Sequence, residues 1–114
     1  METLGGRRKP EPGSKNDRWQ NEAFRGYADY METAEFMAAI STLQSIASEQ
    51  PTAYMCSEAL WWQCHRSLVS DYLKSKDWKV MHIISAGKAE EHPYTSPAII
   101  RHGRLYYSDE NLFD

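Results

Sequence analysis

Between an extended apolar run and a helical run, the chain sets the segment from Met55 to Arg66, which contains both of its cysteines. Two thiols, a carboxylate, an imidazole and a guanidinium in one connection make this the place where chemistry is expected. Ahead of it, Thr52 to Cys56 follows Pro51 and is short and apolar, as a buried strand is. After it, Leu68, Val69, Tyr72 and Leu73 fall on one face of a helix, and Trp78 to Ile84 reads as a second strand. Strand, helix and strand in that order predict a βαβ unit, with parallel strands and a right-handed crossover. Cys56 then ends a strand, and Cys64, His65 and Arg66 begin the helix. In open α/β sheets that edge is where ligands bind.

A chain of 114 residues is expected to form a single domain, 1–114, burying about two thirds of its unfolded surface without help from disulfides. The net charge of -3 argues against a protein that tracks phosphates, although Arg7, Arg8 and Lys9 form a local basic cluster. There is no secretory leader and no apolar run near the ~18 residues of a membrane span. No membrane partner is expected, and the localisation read from this is cytoplasmic. In that compartment two cysteines are thiols, ligands or a redox pair sooner than a structural staple.

Residues 1–18 are rich in Gly, Pro, Arg and Lys and lack an apolar period, so they read as a loop or flexible arm with almost nothing to bury. The folded body is 19–107, and the acidic stretch 108–114 is a frayed tail. Trp19, Phe24, Tyr27 and Tyr30 pin their segment by aromatic packing, while Gly26 argues against a continuous helix there. Thr33 as N-cap, Glu35 in the first turn, and Phe36, Ile40, Leu43 and Ala47 on one face predict a helix that stops before Pro51. Ser85 to Pro97 reads as a loop. Ala98–Arg101 and Arg104–Tyr107 read as a hairpin turned at His102 and Gly103, the glycine supplying a positive φ. The fold class is therefore α/β, a small two-layer or three-layer domain with a partial parallel sheet and a C-terminal hairpin.

Cys64 at a helix start, beside His65 and Arg66, has the surroundings that stabilise a thiolate. The competing reading packs Cys64 under the helix as a small apolar residue, and for Cys56 in a buried strand that alternative is stronger. A zinc site would need Cys56, Cys64 and His65 with Glu58, His82 or His92, but there is no Cys-x-x-Cys pair. A cysteine phosphatase wants an arginine six positions after its cysteine, and neither cysteine has one. Gly5, Gly6, Arg7 and Arg8 make a second candidate for anion binding, since glycines let N–H groups approach and arginine forks onto phosphate or carboxylate. Trp61 and Trp62 cannot both face inward, so one lines a pocket or a partner surface.

The segments Leu4 to Pro10, Phe24 to Met31, Met55 to Glu58 and Cys64 to Leu68 resemble, in content and order, the bacterial family of domains of unknown function numbered 488. The resemblance runs from about Leu4 to Tyr107. It implies a compact α/β domain whose signature is the cysteine, the glutamate and the Cys-His-Arg block. Members usually carry proline where Trp61 stands and arginine where Gln63 stands. They also begin with further strands bearing Gly-His-Ser and Asp-Val-Arg, so a truncated homologue with an unpaired sheet edge, prone to form a homodimer, is expected. The leading functional expectation is a cysteine-dependent enzyme, or its remnant, acting on an anionic or nucleotide-like small molecule. Cys56 or Cys64 is the nucleophile or redox thiol, Glu58 or His65 the base, and Arg7, Arg8 and Arg66 the anion clamp. No cofactor is implied. The rivals are a non-catalytic nucleotide or nucleic-acid binding module, stacking bases on Trp61 and Trp62, and a zinc-binding domain.

Overall fold

The computed structural model describes residues 2–5, 8–54 and 60–108. Three helices carry the core: α1 (Glu22–Tyr30), α2 (Ala34–Glu49) and α3 (Arg66–Ser75). Two antiparallel hairpins follow, β1 (Met81–Ser85) with β2 (Lys88–Glu91), and β3 (Ile99–Arg101) with β4 (Arg104–Tyr106). The domain is thus mixed α and β.

Helix α2 forms where local signals agree. The Thr33 hydroxyl accepts from the Phe36 N–H and donates to the Tyr30 carbonyl, closing α1 and opening α2 with one side chain. Its inward face, Phe36, Ala39, Ile40 and Leu43, is buried. Phe36 is fully buried and meets Tyr27, Tyr30 and Tyr72 edge-on, at ring separations of 6.2, 5.9 and 5.6 Å. This aromatic knot joins all three helices, with Leu68 and Leu73 of α3 beside it. The β3–β4 hairpin turns at His102 and Gly103, both with positive φ (50° and 74°), the pair of angles that a two-residue turn between twisted strands requires.

Four expectations are corrected. Helix α1 runs through Gly26, because that residue is where the N-terminal arm crosses the helix: a Cβ there would lie 2.2 Å from the Arg8 carbonyl oxygen. The arm is also anchored, with Leu4 buried in the core. Tyr27 and Tyr30 donate to the carbonyls of Leu4 and Thr3, both at 2.5 Å, and Asp29 accepts from the Glu11 N–H and from the side chains of Ser14 and Asn16. Among the described residues no parallel strand pair occurs. Residues 51–54 lie in no ladder, the rest of that expected strand falls outside the described residues, and β1 takes its partner from the following hairpin arm. Lys88–Glu91, expected in a loop, is that partner. It is exposed throughout, so no apolar alternation marks it.

Candidate functional site

A short 3₁₀ turn, Trp61–Gln63, leads into Cys64 and His65, and α3 begins at Arg66. The Cys64 carbonyl accepts from both the N–H and the hydroxyl of Ser67, while the Arg66 N–H donates to Cys64 Sγ at 3.4 Å. Cys64 is buried and disulfide-bonded. Cys64 is therefore neither a free thiol nor an available metal ligand in this structure. The chain's other cysteine, Cys56, lies outside the described residues, as do Glu58 and Arg7. The expected crevice of Cys56, Glu58, Cys64 and Arg66 is thus described only on its Cys64 and Arg66 side.

His65 stands at the N-cap position of α3, but its side chain makes no capping hydrogen bond. Its ring stacks on Tyr27 at 4.7 Å with 26° between planes, which fixes the imidazole in place. Burial, and then the positive charges of Arg8 and Arg66, push its pKa below the ordinary histidine value, so it stays neutral and can accept a proton. Arg8 arrives from the arm, with its guanidinium 3.7 Å above the Tyr30 ring and bonded to the Gly5 carbonyl. Of the expected anion clamp, Arg8 from the arm and Arg66 from the start of α3 both act on His65 by their charge, while Arg7 lies outside the described residues.

Trp61 and Trp62 part company as expected. Trp61 lies flat on His82, at 4.4 Å with 2° between planes, whereas Trp62 is half exposed and perpendicular to it. They do not form one continuous stacking surface for bases. No group of His, Cys, Asp or Glu that could hold a metal occurs among the described residues. The zinc reading loses His82 and His92 to another arrangement.

That arrangement was not legible in the sequence. His82 Nε2 and His92 Nδ1 are 2.7 Å apart, and His92 Nε2 lies 2.8 Å from Asp71 Oδ1. Asp71 also accepts from the N–H and hydroxyl of Thr95 (3.0 and 2.5 Å) and from the Tyr107 hydroxyl (2.7 Å). Asp71 and His92 are fully buried, and His82 nearly so. The chain of rings ends at a cavity of about 520 Å³ whose lining includes His82, Trp61 and Arg66. The one signal available beforehand was phase: His82 sits two residues from Val80, on the inward side of a strand whose other residues are exposed. A histidine placed there needs partners.

Burial, the neighbouring His92 and Arg66 lower the His82 pKa from 6.5 to about 4. An unfolded chain binds that proton first, so the stabilisation is complete above about pH 6.5 and is lost as the pH falls towards 4. Between about pH 7 and pH 5 the urea midpoint should drop by an amount worth about 2 kcal/mol. A midpoint that does not move would mean that His82 is not held neutral.

Residues 1–73 match the model of the family described as Domain of unknown function DUF488. No curated protein and no solved structure gives a significant match. The matched range covers the Arg8, Cys64, His65 and Arg66 cluster and Asp71, and stops short of His82 and His92. No helix among the described residues is long and apolar enough to cross a membrane.

Proposed function

The chain belongs to the DUF488 family, a domain of unknown function, and from the chemistry of its own Cys64 to Arg66 block we propose a cysteine-dependent domain that exchanges disulfides with an anionic small-molecule thiol. The observation that carries this reading is the disulfide at Cys64 immediately ahead of α3, with the Arg66 N–H on its sulfur. An incoming thiolate attacks one sulfur, forms a mixed disulfide and expels the other sulfur with its electron pair as a thiolate. When Cys64 is expelled, its charge develops beside the Arg66 N–H, the start of α3 and the nearby guanidinium groups. Such surroundings lower a thiol pKa and make it a good leaving group. A second thiol resolves the mixed disulfide, leaving two protein thiols and one small-molecule disulfide, so electrons balance without another oxidant.

His65, neutral and held by Tyr27, takes the proton from the incoming thiol. Arg8 and Arg66, joined by Arg7 from the same arm, attract its carboxylate. In this reading Cys56, as the chain's other cysteine, supplies the second sulfur and Glu58 a further base. In a reducing compartment a disulfide is usually transient and catalytic or sensing, which agrees with exchange.

The test compares mercaptopropionate with cysteamine, thiols of similar size and opposite charge, on the wild-type protein near neutral pH. Formation of the mixed disulfide is followed by mass spectrometry. Per thiolate, the carboxylate-bearing reagent should react ~10-fold faster at low salt, and added salt or Arg66→Gln should shrink the margin. Equal rates would remove the anion site. A disulfide that opens only in denaturant would make Cys64 a structural staple.

A further inference from the structure

Strand β1 is paired on one side. The Val80 carbonyl accepts from the His92 N–H at 2.8 Å, and the same register sets His82 opposite Glu90, so the main-chain groups of residues 80 and 82 point towards β2. Direction alternates along an antiparallel strand, and the N–H and C=O of Met81 and Ile83 therefore point to the other edge. Among the described residues no strand pairs with that edge.

The cavity of about 520 Å³ runs along it. Its lining includes the five consecutive residues from Val80 to Ile84 and none of Lys88–Glu91. Side chains of a strand alternate between its two faces, so a cavity that meets every residue in a row lies beside the strand, here on the side away from β2. Thr52, Ala53 and Tyr54 line the same cavity without joining a ladder, so the space holds this stretch apart from β1. Leu43 and Ala47 of α2, with Trp78, give it apolar walls. A slot between a strand edge and a second stretch of chain takes one extended segment. A second copy of the domain fits it poorly, because its own residues 52–54 stand before its own β1 edge. The charged residues of the lining are Arg66 and Lys79, with no Asp or Glu among the described residues there.

We propose that this slot binds an extended, acidic peptide segment of a partner protein, in which carboxylates alternate with apolar side chains and which adds to the free edge of β1 as a further strand. Met81 and Ile83 each give it one N–H and one C=O, which is the source of affinity in strand addition. Alternate apolar side chains turn to the walls from α2 and Trp78, and the carboxylates between them meet the charge of Lys79 and Arg66. An unpaired, largely apolar edge of this kind otherwise invites aggregation. The site stands apart from the cysteine reading and holds whether or not Cys64 exchanges.

The experiment uses the wild-type protein and capped synthetic peptides of about seven residues, long enough to span β1. One alternates Val with Glu, one alternates Val with Lys, and two are forms of the first that are N-methylated at one or the other set of alternate amides. By fluorescence anisotropy at low salt the Glu peptide should bind ~10-fold more tightly than the Lys peptide. One methylated form, the one that loses the donors facing β1, should bind ~10-fold more weakly than its parent, and the other form much less so. Hydrogen exchange at the Met81 and Ile83 amides should slow ~10-fold when the Glu peptide is bound. Lys79→Glu, at an exposed position, should reverse the preference between the Glu and Lys peptides while the melting temperature stays near that of wild type. Equal affinity for both charges, or methylation without effect in either phase, would overturn the proposal. So would Met81 and Ile83 amides already protected in the peptide-free protein, since the edge would then be filled by a second copy or by the chain itself, which sedimentation tells apart.

Discussion

Asp71→Ala is expected to cost about 4 kcal/mol or more, which is most of the stability of a small domain at the low end of the usual ~5–15 kcal/mol range. The carboxylate is fully buried on α3 and receives four hydrogen bonds, from His92, twice from Thr95 and from Tyr107. Its removal leaves the Tyr107 hydroxyl and the His92 ring buried without partners, at about 1–3 kcal/mol each. Because these partners lie after β2 and at the end of β4, the hairpins lose their tie to the helices. Asp71→Asn separates charge from shape: it keeps the volume but turns a donor towards donors, so it should cost nearly as much. Urea unfolding gives the total, and hydrogen exchange over residues 92–107 locates the loosening. An asparagine variant within about 1 kcal/mol of wild type would mean that the donors find other acceptors and that Asp71 is not the centre of the network.

What the sequence announces here is what is local in it. Thr33 and the spacing of Phe36, Ile40 and Leu43 specify α2 by themselves, because cap and apolar face lie within one segment. His102 and Gly103 specify the β3–β4 turn for the same reason. The relay is drawn from Asp71, His82, His92, Thr95 and Tyr107, on α3, β1 and the segments that follow, and no spacing rule links them. Asp71 stands next to Tyr72 in a helix and reads as a solvated carboxylate until Ser67, Ser70 and Asp71 are all seen to be buried. The parallel sheet was inferred from two apolar runs flanking a helix. Val80 and His82 do face inward, but Met81, Ile83 and Ile84 are exposed, so β1 is a one-sided strand that pairs with its neighbour across a tight turn. At the candidate site, the Cys64, His65 and Arg66 block was legible from its composition, and Arg8 from its place beside glycines. That Arg8 reaches His65 depends on the arm crossing α1, a tertiary fact.

The crossing makes a second prediction whose sign alone is informative. In a solvent-facing helix, Gly to Ala stabilises by up to about 1 kcal/mol, because alanine loses less backbone freedom on folding. At Gly26 the added methyl would meet the Arg8 carbonyl oxygen at 2.2 Å, the Arg8 carbonyl carbon at 2.6 Å and the Lys9 carbonyl carbon at 2.7 Å. All three are main-chain atoms, so no side-chain rotation relieves the contact. Either α1 or the arm must move, and the arm is held on both sides of the clash, by Tyr27 and Tyr30 on Leu4 and Thr3 and by Asp29 on Glu11. Overpacking of this kind costs about 1–3 kcal/mol, occasionally more, so Gly26→Ala should destabilise by about 2 kcal/mol despite the better helix former. Lifting the arm also withdraws the Arg8 guanidinium from Tyr30 and His65. The depression of the His65 pKa, which owes part of its size to that charge, should then relax towards the ordinary histidine value, in an NMR titration of the ring run beside the melt. An alanine variant as stable as wild type or more so, with the His65 titration unmoved, would show that the arm does not lie on α1 in solution. Arg8 would then have no part in the site.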